Sequence, residues 1–283
     1  MRVLVTGAGG MLGGAVSACA RARGHELTAL SHAELDIAAP GEALRGLAPE
    51  VVINCAAWTD VDGAEADPDG AHALNGEAAG AVARACTRAG ARLVHVSTDY
   101  VFDGDAPTGP DGAPRPWVES DPVRPRSAYG SSKLAGERAI AAAGPEHAIV
   151  RTAWLFGPGG KNFLDTMLTL GAEREEVSVV TDQVGCPTFT GHLAPALLEV
   201  AERGLSGLLH AAGGGACSWN ELTREAFAQA GLECRVRETT SAEFVRPAPR
   251  PAWSVLASER GAPRLPDWRE GVRAHLALRV TSK

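Results

Sequence analysis

The sequence predicts an α/β fold built on a doubly wound parallel sheet. Three observations carry that expectation. Short apolar segments alternate with longer Ala-rich stretches through the first half of the chain. A glycine-rich turn separates the first apolar segment from the first Ala-rich one. Each Ala-rich stretch is followed by a glycine (Gly24, Gly90, Gly144), the residue that most readily closes a helix. Strands that read as continuous apolar runs belong to sheets covered by helices on both faces.

In order, residues 3–6 are the first strand and 11–23 the first helix. Residues 26–30 and 51–54 are the second and third strands, and 71–89 one long helix stopped by Gly90. A fourth strand follows at 93–97, a helix at 128–143, and a fifth strand at 148–152. Segment 104–127 holds six prolines and little apolar periodicity. Loops of that length in α/β folds are normally lids or binding loops. After Gly157 the elements shorten and the alternation is lost as far as Trp268. The expected organisation is a dinucleotide-binding domain over residues 1–156, to which part of the later chain returns, and a smaller, interleaved C-terminal substrate-binding lobe over 157–283. The Pro- and Arg-rich run 245–251 cannot be a central strand or helix.

The composition excludes several classes. With 283 residues, 45% hydrophobic and 22% charged, the chain can bury a sizeable core. No apolar run reaches the length of a membrane span. Residues 1–10 lack the apolar region of a signal peptide. A net charge of −7 argues against a nucleic-acid surface. Six cysteines without a CxxC pair read as free thiols in a reducing cytoplasm. Eight histidines at unpatterned spacings give no zinc signature, and no metal site is expected.

Gly7, Gly10 and Gly13, with Met11 and Leu12 between the last two, lie between the first strand and the first helix. One glycine lets the chain reverse, a second admits a pyrophosphate to the backbone, and a third lets helix and strand pack closely. The spacing G-x-x-G-x-x-G resembles that of short-chain and extended short-chain reductases, whose fold is Rossmann-like. At the end of the second strand stand Leu30, Ser31 and His32, with neither an acid for the adenosine ribose nor an arginine for a 2′-phosphate. The cofactor reading is NADPH with tolerance of NADH. Tyr129 and Lys133, four apart on one helix face, form a candidate acid–base pair: an ammonium beside a phenol favours the tyrosinate and lowers its pKa. Only two tyrosines and three lysines occur in the chain, which makes the pairing less fortuitous. Ser97 and Thr98 close the fourth strand, where ligands of open α/β sheets bind. Either hydroxyl could meet a substrate carbonyl oxygen. On its residues alone, Asp99 reads as a turn cap and Trp154 as packing.

The chain resembles the dTDP-4-dehydrorhamnose reductase family of the extended short-chain dehydrogenase/reductases over almost its whole length. The matching stretches are GAGGMLG (7–13), LDI (35–37), NCAAWTDVDGAE (54–65), STDYVF (97–102), YGSSKLAGE (129–137), RTAWLFG (151–157), NF (162–163), VVTDQVGCPT (179–188), PRPAWSVL (249–256) and LPDWREG (265–271). The resemblance implies that Tyr129 is the proton donor, Lys133 its partner and ribose clamp, and Thr98 the third catalytic group. It implies that Asp99 and Trp154 hold the sugar and that Gly10, Met11 and Leu12 meet the pyrophosphate. Asp36 and Ile37 would border adenine; Ala57, Trp58, Thr59 and Val96 would line the cofactor. Ser31 stands where some members carry an acid. The implied reaction is NAD(P)H-dependent reduction of the C4 ketone of dTDP-4-dehydro-L-rhamnose to dTDP-L-rhamnose; the substrate class is a dTDP-4-dehydro-6-deoxyhexose. The alternatives are a 4-ketoreductase on another dTDP-4-keto-deoxysugar, and a non-catalytic NADP-binding regulatory subunit related to that of methionine adenosyltransferase. The resemblance allows a homodimer. Magnesium dependence, known for some members, has no local carboxylate cluster to carry it here. Asn162 and Arg250 are candidates, from their own chemistry, for the substrate diphosphate, with Arg246 an equal rival.

Overall fold

Val3, Leu4 and Val5 are almost wholly buried, and the strand they form lies inside the main sheet. The structure is a computed structural model that describes residues 1–144 and 146–281; residues 282–283 of the expected second lobe lie outside the described residues. The first part of the chain runs β1 (Arg2–Thr6), α1 (Met11–Ala22), β2 (Glu26–Leu30), α2 (Gly41–Leu47), β3 (Val51–Asn54), α3 (Val61–Ala66), α4 (Pro68–His72), a π turn (Ala73–Ala78), α5 (Ala79–Ala89) and β4 (Arg92–Thr98). It continues with a 3₁₀ turn (Asp99–Val101), α6 (Ala128–Ala143), β5 (Ala148–Thr152), β6 (Leu155–Phe156), α7 (Phe163–Glu173), β7 (Glu176–Val180), β8 (Val184–Gly185) and β9 (Thr188–Phe189). It ends with α8 (Thr190–Glu202), β10 (Gly207–His210), β11 (Cys217–Ser218), α9 (Trp219–Ala230), β12 (Arg235–Thr239) and α10 (Trp268–Thr281).

Six strands pair in parallel in the order β10-β5-β4-β3-β1-β2. Successive strand residues point to opposite faces. Val3 and Val5 therefore pack with Val16 of α1 and Leu193 and Leu197 of α8, whereas Leu4 packs with Leu44, Val82 and Ile140 on the other face. Full burial of each such aliphatic side chain contributes about 1.5–3 kcal/mol. The doubly wound parallel fold is as expected. Its sixth strand, β10, and the helix α8 are supplied from beyond residue 157.

Three details differ from the sequence reading. The fourth strand runs one residue further, to Thr98. Residues 71–89 are not one regular helix. Helical structure begins at Pro68, capped by Asp67, and is broken by the π turn, whose wide backbone carries the buried Asn75. The short α2 has no sequence signal, since Leu44 is its one buried residue.

Loop 104–127 contains no helix or strand and is fastened by side chains. Trp117 stacks on Phe102 at 4.5 Å and bridges Leu256, while Arg115 pairs with Asp121 at 2.6 Å. Run 245–251 is likewise outside helices and strands. In the later half, β7–β12 and β6–β9 pair in parallel and β8–β11 antiparallel. Among the described residues no helix is long and apolar enough to cross a membrane.

Candidate active site

The glycine turn separates structural from receptive glycines. Gly7 has a φ of +67°, and a Cβ there would come within 2.7 Å of Ala56 N. A Cβ at Gly13 would run into the Gly7 carbonyl oxygen. Both are demanded by the protein's own packing. Gly10 is different: a Cβ would meet only the Gly7 carbonyl oxygen, at 3.4 Å. Gly10 begins α1 with no side-chain cap, and the first turn carries no acid. Open N–H groups at the positive end of a helix fit a pyrophosphate. Met11 opens α1, with loop residues Gly159, Gly160 and Asn162 beside it, and Leu12 is buried behind.

At the end of β2, the expected lack of an acid does not hold. Glu34 turns back so that its Oε2 accepts from Ser31 N at 2.9 Å and from Ser31 Oγ at 2.6 Å. Three residues of turn separate the acid from the strand end, which is why the linear sequence hid it. Asp36 is exposed, and its carboxylate accepts from Ala38 N at 2.9 Å in a local turn. The Ile37 side chain is 5% exposed and lies in the core with Leu4, Leu35 and Leu44, so the expected adenine border at this position falls to its backbone. Ala57, Trp58 and Thr59 follow β3. Asn75 clamps this segment by accepting from Trp58 N at 2.9 Å while donating to Trp58 O and Ser132 Oγ, both at 3.0 Å. Sequence reasoning missed Asn75; the signal was a lone Asn in an Ala-rich helix.

Strand alternation settles the two hydroxyls of β4. Ser97 Oγ donates to Glu137 Oε1 at 2.6 Å, on the face where Arg151 forms a buried ion pair with Glu137 at 2.6 Å. Thr98 faces the other way, and its hydroxyl lies close to the Tyr129 phenol. It also donates to Asp99 Oδ1 at 3.0 Å and accepts from Tyr100 N at 3.2 Å. Ser127 caps α6, whose first turn presents Tyr129 among Ala64, Ala71 and Tyr100. Burial pushes the phenol up to about 12, with the nearby Thr98 hydroxyl working against this and the Asp99 charge adding to it. The lowered phenol expected from Lys133 is thus not found. Lys133 instead donates to Val96 O at 2.7 Å. Its ammonium is lowered to about 8 by burial, with Glu137 and Cys55 acting in the opposite sense.

Asp99 is 2% exposed, and burial pushes its carboxyl up to about 6, opposed by the Ser254 and Thr98 hydroxyls. At normal hydrogen-bond length, neither Asp99 Oδ2 nor Ser254 Oγ has a partner. Trp154 adopts a φ of +48°, a left-handed conformation that costs a non-glycine residue about 1–3 kcal/mol. Its indole stacks on Trp219 at 3.5 Å and lies over Gly185, where a Cβ would come within 2.5 Å of the ring.

A cleft of about 660 Å³ opens beside this pair, with Trp219, Gln183, Phe163, Arg246 and Arg250 among its walls. Thr98, Tyr129 and Trp154 do not line it; Trp219 links it to Trp154, and Arg250 also borders a small pocket against Tyr100. Arg250 pairs with Asp62 at 2.8 Å and Arg246 with the same carboxylate at 3.5 Å, so the cleft wall is tied to α3. Asn162 is a correction. Its amide caps α7 by accepting from Asp165 N at 2.9 Å and donating to Asp165 Oδ2 at 2.6 Å and Gly157 O at 3.1 Å. That internal use leaves it no capacity for a diphosphate. Among the described residues, no three or more His, Cys, Asp or Glu gather as a metal site.

A family profile described as the RmlD substrate binding domain matches residues 1–280. A dTDP-4-dehydrorhamnose reductase of Mycobacterium tuberculosis is 46% identical over 99% of this chain and 94% of its own. A protein of Streptomyces antibioticus named as a probable dTDP-4,6-dihydroxy-2-methyloxan-3-one 4-ketoreductase is 44% identical over 96% of this chain and 94% of its own. Among solved structures, the dTDP-4-dehydrorhamnose reductase of Bacillus anthracis in complex with NADP superposes with a TM-score of 0.92 at 35% identity, covering 98% of this chain and 99% of that one. With an uncapped glycine turn, a buried Tyr–Thr–Lys group and these full-length matches, the chain belongs to the dTDP-4-dehydrorhamnose reductase family and carries the RmlD substrate binding domain over nearly its whole length.

Proposed function

We propose that the protein reduces the C4 ketone of dTDP-4-dehydro-L-rhamnose to dTDP-L-rhamnose with NADPH, accepting NADH as well. The observation that carries this reading is the Thr98 hydroxyl at the end of β4 close to the Tyr129 phenol, with Lys133, four residues along α6 from Tyr129, bonded to Val96 O of the same strand. When bound, the reduced nicotinamide supplies the hydride. Thr98 then hydrogen-bonds the ketone oxygen. Tyr129 gives that oxygen its proton as charge develops on it; a phenol held neutral by burial is the form a reduction needs. Lys133 places a positive charge near the tyrosinate left behind and holds the cofactor ribose.

Asp99 and Trp154 belong to the sugar site in this reading, and Arg250 with Arg246 to the diphosphate, for which a planar guanidinium is suited. The division of labour between residues 1–156 and 157–283 is part of the same proposal, as is a homodimer. Residence in a reducing cytoplasm is supported by six cysteines that are all free.

The test follows absorbance of the reduced nicotinamide with enzymatically generated dTDP-4-dehydro-L-rhamnose. Sugar-dependent oxidation of the cofactor is expected. Tight NADPH binding with no turnover on this sugar or any related dTDP-4-keto sugar would overturn the catalytic reading in favour of a regulatory subunit. Turnover confined to a different dTDP-4-keto sugar would overturn the assignment of rhamnose and keep the chemistry.

A further inference from the structure

Behind Lys133 runs a chain of buried polar groups to which the reductase reading gives no task. Thr6, Asn54, His95 and Lys133 are each at most 2% exposed. The orientation of Asn54 is fixed by a group that can only donate: Ala56 N–H donates to Asn54 Oδ1 at 3.1 Å. The Thr6 hydroxyl donates to the same oxygen at 2.5 Å. The atom turned toward His95 is therefore the amide nitrogen Nδ2, 3.0 Å from His95 Nδ1. An amide nitrogen only donates, so His95 Nδ1 accepts, and in a neutral ring the proton is on Nε2. Burial and the neighbouring ammonium both hold His95 well below its ordinary pKa, so the ring is neutral.

The Nε2–H then faces Lys133 Nζ, 3.4 Å away. An imidazole N–H and an ammonium are both donors, and neither accepts from the other. The contact becomes a hydrogen bond only when the lysine is the free amine, whose lone pair takes the Nε2–H. We infer that His95 is a positioning residue for Lys133: locked by Asn54 as the Nε2–H tautomer, it opposes the ammonium and lowers the pH at which the lysine loses its charge. This rests on the reductase reading, in which that charge holds the cofactor.

The other groups that face Lys133 do not replace this effect. Glu137, one turn along α6, favours the ammonium but is already bonded to Arg151 and Ser97. Cys55, just past β3, is a neutral thiol that burial pushes up to about 12. Tyr129, one turn back on α6, is a neutral phenol.

The experiment measures NADH and NADPH dissociation constants by nucleotide fluorescence across pH; NADH excludes titration of the 2′-phosphate. In the wild type, binding of both weakens as pH rises through about 8, where Lys133 discharges. His95→Asn keeps an acceptor for Asn54 and deletes the N–H aimed at the lysine. Its limb is expected to move up by about one pH unit. In His95→Gln an amide oxygen can reach the Nε2 position and accept from the ammonium, which moves the limb up at least as far. A limb that stays in place or moves down in a folded variant, with or without a lower melting temperature, would overturn the inference and leave His95 a packing residue. If His95→Asn does not fold, His95→Gln decides in the same way. A wild type that binds neither nucleotide at any pH would overturn the cofactor reading itself, a result distinct from an unmoved limb.

Discussion

Tyr129 is buried, close to the Thr98 hydroxyl and neutral near pH 7, so its role stands on one transferable proton. Tyr129→Phe should lower turnover by about 10²–10⁴-fold, the usual contribution of a general acid, and leave the NADPH dissociation constant nearly unchanged. Near wild-type kcat would contradict the assignment. Glu34 is expected to set a second property, the choice between the two nucleotides. Its carboxylate, held at the end of β2 by Ser31, suits ribose hydroxyls and repels a 2′-phosphate. Glu34→Gln should therefore raise the NADPH-to-NADH ratio of kcat/KM, by up to about tenfold. An unchanged ratio would place Glu34 away from the ribose. Asp99 offers a stability test. Its carboxyl titrates at about 6 when folded against 3.8 when exposed. Between those values the native state keeps a proton that the unfolded chain has released, so stability falls as pH rises through the window and stays lowered above it. Asp99→Asn removes this penalty, on the order of 3 kcal/mol. The gain in melting temperature over wild type should be larger at about pH 8 than at about pH 4. An equal gain at both would show that Asp99 is not a raised carboxyl. Tyr129 and Lys133 were legible in the sequence because their spacing matches one helix face, whereas Thr98 was separated from Ser97 only by the family resemblance, since both hydroxyls stand at the strand end. His95 and Asn75 were not, because their partners are brought to them only by the sheet and the π turn.

At the scale of elements, the strands were the most legible, since β1, β2, β3 and β5 are unbroken or nearly unbroken runs of apolar residues between polar boundaries. The end of β4 was misjudged by one residue because Thr98 serves both as the last strand residue and as the cap of the following 3₁₀ turn. The glycine turn was legible as a motif, but not which glycine does what. Gly13→Ala forces a Cβ against the Gly7 carbonyl and should cost about 1–3 kcal/mol, seen as a lower melting temperature. Gly10→Ala has room in the free protein and should leave the melting temperature nearly unchanged while weakening NADPH binding. The reverse pattern would mean that Gly10, not Gly13, holds helix and strand together.

For the whole molecule, the sequence conveyed a parallel sheet and an irregular remainder, but not how the remainder is joined to it. That joining depends on contacts between residues far apart in the chain. β10 completes the sheet, Arg246 and Arg250 meet Asp62, and Glu119 accepts from His210 N at 2.8 Å. Trp154 is the point where the two parts meet, shared by the apolar cluster around Trp268 and the one around Phe102. If a substrate is held across that junction with its ketone at Tyr129, hydride and proton arrive at the same carbonyl. The most direct test supplies NADPH deuterated at nicotinamide C4, in each stereoisomer in turn, and examines the nucleotide-sugar product by mass spectrometry and NMR. One deuterium is expected on sugar C4 from one stereoisomer and none from the other. Deuterium at another carbon, or cofactor oxidation without deuterium in the sugar, would contradict it.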